Sequence, residues 1–216
     1  MFALRQGNIT RVSEITTDQK MGVLVKNEHS VYAGSDTGFL HKINGDAATA
    51  TTRIEGSQIL DIGLTNDNLY VLTHRKEIHE VCANTLNVKR AVPITYDGRC
   101  IAFVPATGEV WVGDKTGKVH VLAADSLEQS SEFEGFGAHQ PADALSVSVD
   151  GTKVVGGDHK RNVKVWDAAS KELQHEHGHH KNFVVGVCFT ADGNGVASVS
   201  DDHSLVVCDL TSKKHF

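Results

Sequence analysis

The chain is poor in several features that would point to a particular chemistry. Neither proline (3) nor glycine (20) dominates its 216 residues, apolar residues make up 40% and charged residues 22%. That balance excludes a low-complexity or disordered chain and predicts a packed domain. Basic residues are outnumbered, 21 Lys and Arg against 27 Asp and Glu, for a formal charge of -6. A general nucleic-acid binder would carry the opposite excess, so the charge argues against that class while leaving room for a local basic patch. No long apolar run exists: stretches such as Phe183–Phe189 fall far short of a membrane span. The first six residues, Met1 to Gln6, lack the apolar stretch of a signal peptide. Cysteine is scarce, and Cys82, Cys100, Cys188 and Cys208 lie far apart with no CxxC. Such spacing predicts buried thiols of a reducing compartment rather than a zinc knuckle, and hence the cytosol. GxSxG, P-loop and HExxH signatures are also missing.

What the chain does have is repetition. Ala144–Asp209 contains one supersecondary unit twice: an alternating strand, an Asp-Gly turn (Asp150-Gly151, Asp192-Gly193), a small-residue strand, a polar turn, and a β-branched strand ending in Asp. Aligned on that last strand, five copies emerge: Thr37–Asn44, Arg75–Cys82, Thr116–Ala123, Lys160–Asp167 and Asp202–Asp209. The equivalent apolar positions Leu40, Ile78, Val119, Val163 and Leu205 recur at intervals of about 38 to 44 residues, the period of four-stranded propeller blades. Helical repeats of this length would show a 3.6-residue period, whereas Val119-His120-Val121 and Val163-Lys164-Val165 alternate with period two. Two earlier strands precede each copy, and a polar outer strand is predicted near Thr49–Ile54, Leu86–Val92, Ser130–Glu134 and Leu173–His177.

The prediction is an all-β protein: a β-propeller with about five four-stranded blades, either a closed five-blade ring or part of a larger propeller. One domain covers residues 1–216, with units near 17–54, 55–92, 96–134, 142–177 and 179–216. Too few residues follow Leu210 for a good fourth strand, so Ile9–Ile15 is expected to complete the last blade and close the ring. If five blades stay open instead, two apolar blade faces are exposed and self-association is expected.

Gly178-His179, Ala197-Ser198 with Ser200-Asp201-Asp202, and Val165-Trp166-Asp167 resemble the WD-repeat family. In that family a His, a Ser and an Asp of one blade, with a Trp, form a buried hydrogen-bond network. The resemblance assigns those structural roles to His179, Ser198, Asp202 and Trp166, although Cys208 occupies the Trp position of the last unit. The block Val92–Leu122, and the units that start at His139 and His179, are similar to the carboxyl-terminal propeller of the actin-interacting protein 1 family. That family has two seven-bladed propellers, binds cofilin-decorated actin filaments and promotes their disassembly. The resemblance therefore implies actin and cofilin as partners and a cytoplasmic, cytoskeleton-associated location; contacts made through the family's first propeller cannot be transferred.

Catalytic chemistry is little signposted. His175, His177 and His179 alternate, so on one strand they would share a face and could meet a divalent metal; an outer strand with a following loop is the preferred reading, and neither metal nor cofactor is predicted. Asp201-Asp202 and Asp158-His159 read as turn residues rather than an acid–base pair, and Thr116–Val119 as a hairpin. The sequence thus points to a non-enzymatic protein-binding module. Its predicted partner face consists of the loops between second and third strands and between blades: His74, Arg75, Lys76, Asp114, Lys115, Asp158, Lys160, Arg161, His180, Lys181 and Asp201. The competing readings are a generic WD-repeat scaffold subunit of another complex and a metal-dependent propeller enzyme. Neither nucleic acid nor membrane is expected as a partner.

Overall fold

The computed structural model describes residues 19–45, 47–55 and 57–211. The first antiparallel sheet holds β1 (Met21–Lys26), β2 (Val31–Ser35), β3 (Phe39–Asn44) and β4 (Ala47–Arg53). The second holds β5 (Ile59–Leu64), β6 (Asn68–Thr73), β7 (Glu77–Cys82) and β8 (Val88–Pro93). The third is β9 (Gly98–Val104), β10 (Glu109–Asp114), β11 (Lys118–Ala123) and β12 (Gln129–Glu134). The fourth is β13 (Ala142–Val147), β14 (Lys153–Asp158), β15 (Val163–Asp167) and β16 (Leu173–His177). Among the described residues the fifth has three strands, β17 (Val184–Phe189), β18 (Gly195–Ser200) and β19 (Leu205–Asp209). Each sheet runs in sequence order, so every connection within a blade is a hairpin. The protein is a five-blade β-propeller. The expected closing strand Ile9–Ile15 lies outside the described residues.

Local chemistry sets the hairpins. At the two Asp-Gly turns a hydroxyl in front locks the aspartate: Ser148 donates to Asp150 at 2.6 Å and Thr190 to Asp192 at 2.5 Å. The second-to-third-strand turn is built alike in all five blades. A buried polar residue ends the second strand (Ser35, Thr73, Asp114, Asp158, Ser200), and its carbonyl accepts from the amide three residues on. That fourth residue always has positive φ: Gly38, Lys76, Gly117, Arg161 and His203. At Gly117 a Cβ would stand 2.2 Å from the Gly137 carbonyl oxygen, so glycine is obligatory there.

The core lies between the blades, not within them. Tyr32 and Leu40 of the first blade pack on Ile62, Leu69 and Val71 of the second. Tyr70, Leu72 and Ile78 pack on Ile101, Val110 and Val112, and Trp111, Val119 and Val121 on Val154 and Trp166. Val155, Val163 and Val165 pack on Val184, Val196 and Leu210. Each blade thus gives one apolar face to its predecessor and the other to its successor, and burying one aliphatic side chain contributes roughly 1.5–3 kcal/mol.

The seam between the last and first blades departs from this rule. The repeated third-strand position is fully buried at Leu40, Ile78 and Val119 and 5% exposed at Val163, yet Leu205 is 65% exposed. In the first blade Leu24 is 68% exposed, whereas its register equivalents Ile62 and Ile101 are buried. Among the described residues no packing like that of the four internal junctions joins β17 to β1. This also corrects the expectation of four buried cysteines. Cys100 and Cys208 are buried, Cys82 is half-buried, and Cys188 is exposed because it lies opposite Ala197 on the uncovered face of the last blade. Among the described residues no helix is long and apolar enough to cross a membrane.

Candidate interaction site

A β-bulge interrupts the first strand pair of every blade. It leaves Gly22, Leu60, Arg99, Asp143 and Val185 unpaired. A bulge re-aims the residue it leaves out, and three of these, Leu60, Arg99 and Asp143, line a cleft of about 480 Å³. His74, Lys76, Asp97 and Lys115 contribute from the adjoining turns. The cleft is laced with ion pairs. Lys76 meets Asp97 at 2.8 Å, Arg99 donates from Nε to Asp143 at 2.7 Å, and His159 also pairs with Asp143. Burial pushes the Asp143 carboxyl up, against the opposing pull of Arg99 and then His159.

Deeper in the same strands, Asp61 bridges two blades. Its Oδ1 accepts from the Ile62 amide and its Oδ2 from the Ile101 amide, both at 2.8 Å. Burial lifts this carboxyl to about 7, outweighing the two amide hydrogen bonds that favour the charged form. Arg99, Asp143, Asp97 and Asp61 were not among the residues the sequence nominated. Arg99, Asp143 and Asp61 stood out as isolated charges in otherwise apolar or small inner strands and Asp97 as a turn residue, but the bulge that turns Arg99 and Asp143 toward the cleft leaves no mark in a period-two pattern.

The predicted partner face divides into two sets. His74, Arg75, Lys76, Lys115, Lys160, Arg161, Lys181 and Asp201 are exposed on the turns where the sequence placed them. The cleft brings together His74, Lys76 and Lys115 but not the residues of the last two blades. Lys76 and Arg161 adopt positive φ (61° and 77°), which for long side chains stores backbone strain in this face. The remaining three are corrected, because their polar atoms close turns and blades. Asp114 is buried and accepts from the amides of Thr116, Gly117 and Lys118 and pairs with His120 at 3.1 Å. Burial raises its carboxyl, but hydrogen bonds from His120 and Thr116 bring it below the usual carboxylate range. Asp158 is fully buried and accepts from the amide and side chain of Asn162. His180 is also buried.

His180, not His179, is the histidine of the last blade's network. Its Nε2 lies 2.7 Å from Ser198 Oγ, and its Nδ1 lies 3.2 Å from Asp202 Oδ2 and 3.0 Å from Ser204 Oγ. The physical reason is register: His180 takes the buried place held by Ile54, Ile94 and Phe136 in earlier blades, and His179, one residue before, faces outward. The Ser204 hydroxyl, then the amides of Lys181 and Ser204 and the His180 ring, hold the Asp202 carboxyl well below the usual range. Trp166 is not joined to this set. It sits one junction earlier, edge-on to Phe133 and Phe136 with centroids at 6.1 and 5.1 Å.

The alternating histidines do share a face, with ring centroids 6.2 Å apart for His175 and His177 and 6.0 Å for His177 and His179. The metal-ligating geometry that results does not join the three alternating histidines. The donor atoms of His177, His179 and Cys208 lie within 4.8 Å of one another, and Cys208 comes from the next blade. Burial pushes the Cys208 thiol up.

Comparison with known proteins fits this architecture. Residues 170–209 match the family described as WD domain, G-beta repeat, a stretch running from the turn before β16 through β19. The chain is 32% identical to WD repeat-containing protein 55 of Arabidopsis thaliana over 94 residues, covering 44% of this chain and 27% of that protein. It therefore spans about a quarter of the length of the curated relative it matches, whose name states no partner. The chain is a five-blade β-propeller that carries a WD repeat over residues 170–209, and WD-repeat propellers typically serve as non-catalytic scaffolds for protein interactions.

Proposed function

We propose that the chain acts as a protein-binding scaffold and that its strongest binding surface is the pair of uncovered blade faces. One observation carries this reading: Leu24 and Leu205 occupy positions that are core at the junctions between blades, yet they are 68% and 65% exposed. The last blade offers the kind of face that four earlier blades offer to a successor, and the first offers the kind that four later blades offer to a predecessor. The matching occupant is another blade, and a second copy of this chain supplies one. The charged cleft and the exposed basic turns form a second, polar surface that steers association more than it supplies affinity. Light scattering over a concentration series tests the reading. Association that Leu205→Asp abolishes is expected, and a monomer at every concentration would remove it.

A finer reading takes the partner to be actin filaments decorated with cofilin, with the propeller promoting their disassembly in the cytoplasm. It rests on the resemblance of Val92–Leu122 and the units after it, and on exposed Arg75, Lys76, Lys160, Arg161 and Lys181, whose charge suits an acidic partner. By binding the cofilin-altered filament more tightly than the bare one, the chain would shift filaments toward severing. Co-sedimentation should show the chain pelleting with cofilin-decorated filaments and less with bare ones. Equal and negligible pelleting in both would leave the generic scaffold reading standing alone.

A further inference from the structure

The junction between the third and fourth blades and the junction between the fourth and fifth are the same construction with different side chains. At the former, Phe133 pairs across from Val119, and Trp166 across from Val154. With Phe136 they make an edge-on aromatic lock: Phe133 and Phe136 each meet Trp166, and Phe133 also meets Trp111 at 5.4 Å. At the latter, the register places His177 where Phe133 stands, since it pairs with Val163. It places Cys208 where Trp166 stands, opposite Val196. His180 takes the place of Phe136 and is engaged by Ser198 and Asp202. Three aromatic places have thus become two imidazoles and a thiol, and Cys208 is much smaller than the indole it replaces.

We propose that His177, His179 and Cys208 form a zinc site that clips the outer strand of the fourth blade to β19 of the fifth. Their ligand atoms already lie within 4.8 Å of one another. A tetrahedral zinc with bonds of about 2.0–2.3 Å needs these atoms only modestly closer. Two imidazoles and a thiolate suit zinc and disfavour magnesium or calcium, which want oxygen ligands. Cys208 is buried and His177 Nε2 is shielded from solvent, whereas His179 is exposed and gives the ion a path in. Three protein ligands leave the fourth tetrahedral position to water. His175 shares the histidine face but stands a step farther along the strand, outside the set. The site lies where the aromatic lock is missing, so the bound metal would replace its cross-blade contact and stabilise the last blade.

The test is titration of the metal-free chain with zinc, and with cobalt as a spectroscopic stand-in that reports sulfur ligation. One equivalent of cobalt should bind with a thiolate-to-metal charge-transfer band, and zinc should displace it and raise Tm. Cys208→Ala should abolish the band, and His179→Gln, at an exposed position, should weaken zinc binding at least about tenfold. His175→Gln should bind like the wild type. Unchanged affinity in Cys208→Ala, or an equal loss in His175→Gln and His179→Gln, would mean adventitious chelation by surface histidines and overturn the proposal. Absence of stoichiometric binding in the wild type would overturn it as well.

Discussion

A single residue of register decides the chemistry of the last blade. His179 and His180 are adjacent in sequence, and either could fill the family's histidine role. Only the structure shows that His180 turns inward to Ser198, Asp202 and Ser204 while His179 remains exposed. Replacing His180 by Ala strands the buried Ser198 hydroxyl, and such a loss typically costs about 1–3 kcal/mol. His180→Ala should therefore unfold at clearly lower denaturant concentration than the wild type, while His179→Ala measured without metal should not. Equal midpoints for His180→Ala and the wild type would show that the network contributes nothing. The WD-repeat resemblance could nominate Ser198 and Asp202 because both lie in motif stretches matched residue by residue. It could not choose between two consecutive histidines in a connection with no period of its own. The same limit hid Cys208 from the histidine cluster, because the 29 residues from His179 to Cys208 close only through cross-blade packing.

At the scale of the element, strands and hairpins were legible where physics leaves a period or a turn signature. The predicted outer strands near Thr49–Ile54, Leu86–Val92, Ser130–Glu134 and Leu173–His177 correspond to β4, β8, β12 and β16 with ends moved by a few residues. The bulges were not legible, since one extra residue in an apolar strand changes little in composition. Yet those bulges turn Arg99 and Asp143 toward the cleft. Between two inner strands, Asp61 ties β5 to β9 through the Ile101 amide. Its carboxyl lies at about 7 in the folded chain against an ordinary 3.8, so the folded state holds a proton that the unfolded state has lost. Its contribution to stability is therefore present below about pH 4 and is lost progressively as pH rises to about 7. Urea midpoints measured from pH 4 to 8 should contain this falling component, and Asp61→Asn should lack it. Parallel pH profiles for the wild type and Asp61→Asn would contradict the assignment.

At the scale of the whole molecule, repetition fixes the fold and also exposes its exception. Four junctions use the same two faces, and the period of about 38 to 44 residues made both faces legible in the sequence. The fate of the outer two faces was not legible, because it depends on how blades pack in space. Leu24 and Leu205 are already exposed, so charging them should leave each blade intact while spoiling its end for docking. A junction of this kind joins unlike faces, so it is heterologous, and each copy that docks at one end still offers the other. Association of the wild type should then continue past a dimer unless the rotation between copies closes it.

Mixing the two end variants tests this most directly. Leu24→Asp keeps a sound last blade and Leu205→Asp keeps a sound first blade, so each should be monomeric alone by light scattering. An equimolar mixture should form a discrete one-to-one dimer, capped at both ends by the charged faces. If the mixture stays monomeric while the wild type associates, the ends do not meet as blades do inside the chain. If either variant alone associates like the wild type, the uncovered faces are not the binding surface, and the central claim fails.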